Sequence, residues 1–378
     1  MNIAWFIVMT IVIIIGQIFV FDRWGLTKIH YRRSFSKEAV FTGESIEMVD
    51  EIANKKLLPV PWLRLESKID ANLQFQKRSN LDNEVHAGGD FHRTLFSLMP
   101  YQQVRRRQML TCQKRGHYRF ETVSLTTGDI FGFGQVFKSV PSKAEIIVYP
   151  RLVSIDDIPL PTHSWLGDVV VRRWIMEDPF LIAGVREYSA GDPLNTINWK
   201  ATARAQAMQV SQKDFSADHH LMIYVNFNQT EDIWRPIVDE PLMEKAISYA
   251  ASIAQYALDN GIDTGFGCNS YFNEMDKQPI RIDPANGGQH LLYLLETMAK
   301  LKIGSSTYFD FFLKDELERE IEGTDILIIT AIVTKKMNEY IKQLEARGNS
   351  VEILELGPQD VDQNGVAPGR REPSRLST

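Results

Sequence analysis

Cysteine is nearly absent from this 378-residue chain: there are two, Cys112 and Cys268, and neither sits in a CxxC pair. A disulfide scaffold and a Cys-based zinc ribbon are therefore excluded. No GxxxxGK[ST] loop, HExxH or GxSxG occurs, so P-loop nucleotide binding, zincin chemistry and the serine-hydrolase elbow have no sequence support. The eight histidines are scattered, and the one adjacent pair, His219-His220, would point to opposite sides of a strand. Gly265-Phe266-Gly267 lacks the third glycine of a dinucleotide fingerprint and reads as strand packing.

Charge is also missing, locally. Residues 1–21 carry no ionisable side chain, residues 22–120 hold 18 basic against 11 acidic side chains, and residues 121–378 hold 24 against 37. The formal total of −6 argues against a general nucleic-acid binder but conceals this asymmetry. The uncharged head, Ile3 to Phe21, contains thirteen Ile, Val or Phe in nineteen residues. At about 1.5 Å per residue it spans about 28 Å, against a hydrocarbon core of about 30 Å. A signal peptide would have a basic leader and a small-residue cleavage site, and a soluble core helix would not stay apolar on every face. The expectation is a single-pass membrane anchor, contacting lipid through Ile3–Phe21. Arg23, Lys28, Arg32 and Arg33 come directly after the span, which places the bulk of the chain in the cytoplasm.

Beyond the anchor and its basic flank (residues 1–33), the sequence pattern changes twice. Residues 34–150 hold short alternating runs: Ser45–Ile52, Trp62–Ile69, Arg93–Leu98, Val104–Cys112, Tyr118–Leu125 and Ile146–Tyr149. Gly43, Pro59, Pro61, Gly88-Gly89, Pro100, Gly116, Gly128-Asp129 and Pro141 read as the turns between them, and the region reads as a β-sandwich. Arg105, Arg106, Arg107, Lys114, Arg115 and Arg119 crowd one stretch of it, either as a solvated strand face or as a contact for anionic head groups.

Residues 221–356 instead alternate strands and helices. The strands are Leu221–Phe227, Thr264–Cys268, Asp325–Ile332 and Val351–Leu356; the helices are Leu242–Asn260, Gly288–Leu301, Tyr308–Ile321 and Lys335–Arg347. That is the pattern of an open, largely parallel α/β sheet covered on both faces. The whole is an α+β multidomain chain. Residues 357–378, polar and rich in Pro and Gly, read as a disordered tail.

Residues 151–220 join the two regions and carry the most distinctive run: Arg186, Tyr188, Gly191 and Asp192, then Ile197, Trp199, Ala203 and Arg204. Gly191 suits a tight turn, Asp192 a helix cap, and Pro193 a first helical position. Ile197, Ala201 and Ala205 would share one helix face, with Trp199, Ala203 and Gln206 on another. Arg186, Asp192 and Arg204 are expected to form a buried or half-buried ion network. The enzymatic alternative makes Asp192 a general base and the arginines anion clamps for a hydrolase or transferase. No His, Ser or Cys nucleophile accompanies them at recognisable spacing, so no catalytic residue is assigned.

The run R-x-Y-x-x-G-D, then I-x-W-x-x-x-A-R, resembles the signature of the domain of unknown function 58 family. Arg115–Tyr118, Gly128–Gly132 and Ile147–Arg151 are similar to that family's upstream blocks, with Ile130 where proline is usual; Asn195 stands where arginine is common. The resemblance implies a bacterial, membrane-anchored protein whose last domain is von Willebrand factor A-like. It also implies a MoxR-type AAA+ ATPase as partner. In metal-binding members of that fold a D-x-S-x-S loop holds a divalent cation. The matching positions here are Asn226, Asn228 and Thr230; neutral amides are poor ligands for a hard cation, so neither metal nor cofactor is expected. Glu231, Asp232 and Asp239 are the acids near that loop. The expected function is non-catalytic interaction or assembly at the cytoplasmic membrane face, with a partner docking on Asn226, Asn228, Thr230 and Ile332–Thr334, outside the carboxyl ends of the strands.

Overall fold

The computed structural model describes residues 3–75, 91–160, 177–189, 197–215, 220–230 and 239–357. Gly88-Gly89, Gly191, Asp192, Pro193, Asn195, His219, Glu231, Asp232 and the expected disordered tail beyond Gly357 lie outside the described residues. The fold is mixed α/β, with an apolar N-terminal helix and several sheets, and it divides into two compact units at Arg151/Leu152.

The first unit opens with α1 (Ile3–Trp24), whose large apolar side chains from Trp5 to Phe19 are mostly exposed. A helix of this length and composition can cross a bilayer, which is consistent with a single-pass anchor. Nine strands come after it: β1 (Ile29–Phe35), β2 (Ala39–Phe41), β3 (Ser45–Asn54), β4 (Val60–Lys68), β5 (Leu73–Phe75), β6 (Phe91–Leu98), β7 (Gln103–Cys112), β8 (Gly116–Gly128) and β9 (Gln135–Tyr149). They form a four-stranded sheet, β1-β3-β7-β5, and a five-stranded sheet, β2-β9-β8-β4-β6. Every pairing is antiparallel except β2 with β9.

Alternation decides which faces are buried. Ile46, Met48 and Ile52 of β3 point inward, as do Leu63 and Leu65 of β4. Ile29 and Ile52 from the smaller sheet share one apolar cluster with Leu63, Leu65, Val123 and Leu125 from the larger. Ile46, Met48 and Leu110 share a second with Val40, Phe120, Ile146 and Val148. At about 1.5–3 kcal/mol for each large aliphatic side chain buried, these two clusters hold the sheets together.

Two expectations for this region need correction. Ile29–Phe35 is a strand rather than only a basic flank, and Arg33 is buried within the sheet layer. Pro141 is not a turn: it lies inside β9, opposite Thr122, beside a register shift. A bulge tolerates proline because the local ladder is already broken. The arginine-rich β7 is a solvated face with cross-strand ion pairs, Arg105 to Glu51 at 3.1 Å and Arg107 to Glu47 at 3.9 Å.

The second unit begins with a two-stranded antiparallel ribbon, β10 (Glu177–Glu187) and β11 (Gln209–Phe215), with the short helix α2 (Trp199–Ala205) between them in sequence. The segment 151–220, from Leu152 onward, falls in this unit. Then come β12 (His220–Val225), α3 (Glu240–Asp259), β13 (Asp263–Cys268), β14 (Ile280–Ala285), α4 (Gly288–Lys300), α5 (Phe309–Glu318), β15 (Thr324–Thr330), α6 (Lys335–Ala346) and β16 (Ser350–Glu355). The sheet order is β14-β13-β12-β15-β16, parallel except for β14. Met222 and Tyr224 on one face of β12 pack with Phe312 and Leu313 of α5 and Met337 and Ile341 of α6. On the other side α3 crosses β12, β13 and β15 and is almost wholly buried along one flank. Strand β14 escaped the sequence reading because Ile-Arg-Ile-Asp-Pro-Ala alternates only briefly and contains a proline. An edge strand accepts that proline.

Candidate functional site

Parallel strands aim their carboxyl ends, and the loops attached to them, at one rim of the sheet. After β12 come Asn226, Asn228 and Thr230; after β15 come Ile332 and Thr334. These residues, with Tyr308, Asp310 and Lys335 from the starts of α5 and α6, line a cleft of about 580 Å³. The structure thus brings together the loop residues singled out in the sequence. It adds Tyr308, Asp310, Lys335 and Lys336, which no local motif marks: they converge only because α5 and α6 both begin at this rim.

The rim is organised by buried amides. Asn226 Nδ2 donates to Thr330 Oγ1 at 2.9 Å, and its Oδ1 accepts from the Asn228 backbone N–H at 2.9 Å. Asn228 Oδ1 accepts twice, from Asn269 Nδ2 at 2.7 Å and from the Phe309 N–H at 3.0 Å. Asn269 Oδ1 in turn accepts from the Phe227 N–H at 2.8 Å. Three asparagines thereby pin the ends of β12 and β13 to the first turn of α5. Thr334 caps α6, its Oγ1 accepting from the Met337 N–H at 3.1 Å while contacting Asp310 Oδ1 at 3.1 Å.

This donor set does not fit a divalent cation. The side-chain oxygens of Asn226 and Asn228 already accept hydrogen bonds, and neither carries charge. Asp239, one of the acids near the loop, caps α3 by accepting from the Leu242 N–H at 2.9 Å. Among the described residues no three His, Cys, Asp or Glu side chains converge.

The signature segment sits elsewhere in the second unit. Ile197 is buried and bridges Val210, so it precedes α2 rather than sharing a face of it. Asn198 is the cap of α2, its Oδ1 accepting from the Ala201 N–H at 3.0 Å, and Gln206 ends the helix in the left-handed region at φ 54°. Trp199 is 68% exposed, with Ala203 exposed one turn on. Tyr188 is half-buried, and its N–H donates to the Met208 carbonyl at 2.9 Å. The expected burial of the ion network is corrected here: Arg186 and Arg204 are both exposed, and Arg186 Nη1 donates to the neighbouring Glu187 carbonyl. A short polar side chain fastens α2 to the ribbon, Thr202 Oγ1 accepting from the Gln209 N–H at 2.9 Å.

Residues 184–362, which contain both the signature segment and the cleft, match the family described as "Protein of unknown function DUF58". This region of the chain is similar to the DUF58 family. The DUF58 region and the unit before it together align with "Uncharacterized protein YeaD" of Bacillus subtilis (strain 168), at 20% identity over 345 residues, covering 89% of this chain and 80% of that protein. Among solved structures, the CARDB domain of a Pyrococcus furiosus protein is similar to 32% of this chain at 13% identity and TM-score 0.20, over 90% of its own length. A non-cellulosomal cohesin from Archaeoglobus fulgidus is similar to 33% at 12% identity and TM-score 0.22, over 91% of its length.

Proposed function

We propose that this DUF58 chain is a non-catalytic, membrane-anchored interaction or assembly protein that works on the cytoplasmic face with a MoxR-type AAA+ ATPase. The observation that carries this reading is the cleft at the carboxyl rim of the second sheet. It is open and mixed in character: Asn226, Asn228, Thr230 and Thr334 supply amides and hydroxyls, Asp310, Lys335 and Lys336 supply charge, and aromatic and aliphatic side chains such as Phe311, Ile332 and Tyr340 line the rest. That mixture suits recognition of a protein surface, and Thr334, whose hydroxyl meets the Asp310 carboxylate, is committed to capping α6. In this reading the first unit is a β-sandwich, and the second is a von Willebrand factor A-like domain whose cation loop has been replaced by amides. The exposed Trp199 offers a second contact, since tryptophan is enriched among residues that dominate interfaces. Arg23 in the last turn of α1 and Lys28 and Arg32 beyond it, all exposed, support a cytoplasmic body.

Co-purification from solubilised membranes tests the proposal. The full chain should retain an ATPase of this class when nucleotide is trapped in its hydrolysis-blocked state, and a Lys335→Glu/Lys336→Glu variant should retain less. Recovery of no ATPase under those conditions defeats it. Should a hydrolase or transferase activity on an anionic substrate be found instead, with Asp192→Asn abolishing it and leaving folding intact, the chain is an enzyme.

A further inference from the structure

One end of the first unit is built of loops quite unlike those at the other. The register of both sheets puts the start of β1, the end of β3, the start of β4, the end of β6 and the β8–β9 connection at the same end. Ile29 pairs with Asn54, Ala53 with Gln103, Val60 with Leu98 and Gly128 with Gln135. Helix α1 enters at this end. The loops here present Leu57 (75% exposed), Met99, Tyr101 (71%), Ile130, Phe131 and Phe133 (72%) to solvent. Among the described residues the opposite end is polar: Thr42-Gly43-Glu44, Asp70-Ala71-Asn72 and Gln113-Lys114-Arg115 connect strands there. Leu95 and Phe137 are exposed singly on strands and need no explanation, but a set gathered in the loops of one end, around an apolar helix, does.

The β8–β9 loop is held against the helix. Asp129 is buried; its Oδ1 accepts from the Gly134 N–H at 2.6 Å, and its Oδ2 accepts from the Phe131 N–H at 3.1 Å and from Gln17 Nε2 at 3.4 Å. Trp62 Nε1 donates to the Asp129 carbonyl at 3.2 Å. Gln17 lies two turns before the helix end at Trp24, about 10 Å along the axis. A helix of 22 residues is about 33 Å long, just over the hydrocarbon thickness of about 30 Å. With Trp24 at the interface, the level of Gln17 falls below the head groups, and the loop fastened there falls with it. Beside the helix end, Val20, Trp24, Leu57 and Pro59 line a groove of about 670 Å³ whose rim carries Lys28.

We propose that this end of the first unit is a second membrane-contacting surface: the Ile130–Phe133 loop, with Leu57 and Tyr101, sinks into the head-group and acyl boundary of an anionic bilayer, while Lys28 and Lys55 meet the phosphates. Interfacial amphipathic helices bury their apolar faces about 5–10 Å into that boundary, a depth comparable to the level of Gln17. The unit is then seated on the bilayer rather than tethered above it. This rests on reading α1 as a membrane span.

The test uses the full chain in vesicles of phosphatidylcholine and phosphatidylglycerol, labelled with an environment-sensitive nitrobenzoxadiazole thiol probe. Both native cysteines are buried and do not compete for it. The probe is placed singly at Phe131→Cys, Leu57→Cys, Glu44→Cys and Val12→Cys. Positions 131 and 57 should be blue-shifted and quenched by lipids carrying a doxyl group near the carbonyl end of the acyl chain. Position 44 should be quenched only by aqueous iodide, and position 12 by a doxyl group near the methyl end. Iodide quenching at 131 and 57, with position 12 still quenched from within the bilayer, would overturn the seating and leave the anchor intact. Iodide quenching at position 12 as well would overturn both.

Discussion

Arg33 sets its guanidinium fork on both oxygens of Asp50, Nε at 2.8 Å from Oδ1 and Nη2 at 3.2 Å from Oδ2, in the layer between the two sheets of the first unit. The same guanidinium reaches Ser67 Oγ on β4 at 3.1 Å and lies 5.4 Å from the ring centroid of Phe120 on β8. Tyr31 completes the group, its hydroxyl donating to Asp50 Oδ1 at 2.6 Å. Burial, assisted by the Asp50 carboxylate, holds the Tyr31 phenol well above its usual range, so it stays a donor. Removing one member strands a buried charge. Asp50→Ala should cost the unit about 3–5 kcal/mol, and Arg33→Met/Asp50→Leu should recover most of that loss. Amide hydrogen exchange along β3 and β7 reads the change; equal protection in wild type and Asp50→Ala would show the pair to be dispensable.

Lys56 is buried and donates to the Trp24 carbonyl at the end of α1, at 2.5 Å, and to the Gly25 carbonyl just beyond it. Burial lowers its ammonium from 10.5 to about 8, against the pull of a helix C-terminus that favours a cation. Between those values the unfolded chain holds the extra proton, so stability rises as pH climbs through that window. Lys56→Met has no such group. Comparing denaturation midpoints of the two proteins at about pH 7 and about pH 10 should show the wild type gaining on the variant at the higher pH. A constant difference would mean that the ammonium is fully solvated.

The features legible in the sequence were those with a long period. The uninterrupted apolar run of α1 and the strand–helix alternation after residue 220 survive as elements close to their expected bounds, because burial on one face writes itself into spacing. The position of Asn226 and Asn228 at the carboxyl rim is a consequence of that alternation alone. Features set by distant partners were not legible. Ile29–Phe35 reads as basic, and becomes a strand only because Asp50 receives Arg33 inside the sheet layer. Asn198 caps α2, a role that spacing does not assign to it. Asp310 enters the cleft through the packing of α5, without any acidic motif beside the loop.

The Gly265-Phe266-Gly267 run is a matter of space within the sheet. A Cβ on Gly267 would lie 2.7 Å from Phe312 Cζ and 2.9 Å from the ring of Tyr224. Those rings meet edge to face at 5.2 Å, and the Tyr224 hydroxyl is tied to Glu316 at 2.5 Å, so neither ring can retreat freely. Gly267→Ala should therefore cost about 1–3 kcal/mol by overpacking, without touching the cleft. A shift in denaturation midpoint of the second unit measures it, and an unchanged midpoint would mean that α5 yields.

Asn269 joins the ends of β12 and β13 to the start of α5, and its removal should loosen the cleft from behind. It is fully buried, donates to Asn228 Oδ1 at 2.7 Å and the Thr307 carbonyl at 2.9 Å, and accepts from the Phe227 N–H. Asn269→Ala strands a buried N–H and carbonyl, at about 1–3 kcal/mol each. Asn269→Asp keeps the acceptor but turns the donor into a second anionic oxygen facing two other oxygens, so at neutral pH it should be the worse variant. Because burial disfavours the ionised carboxyl, the aspartate variant should regain stability as pH falls and the side chain becomes a donor again. The alanine variant should show no such recovery. Hydrogen exchange at the Phe227 and Phe309 amides, compared at about pH 5 and about pH 7 after correction for intrinsic rates, separates the two. If both variants behave alike at both pH values, the amide network does not hold the rim, and the cleft owes its shape to the helices alone.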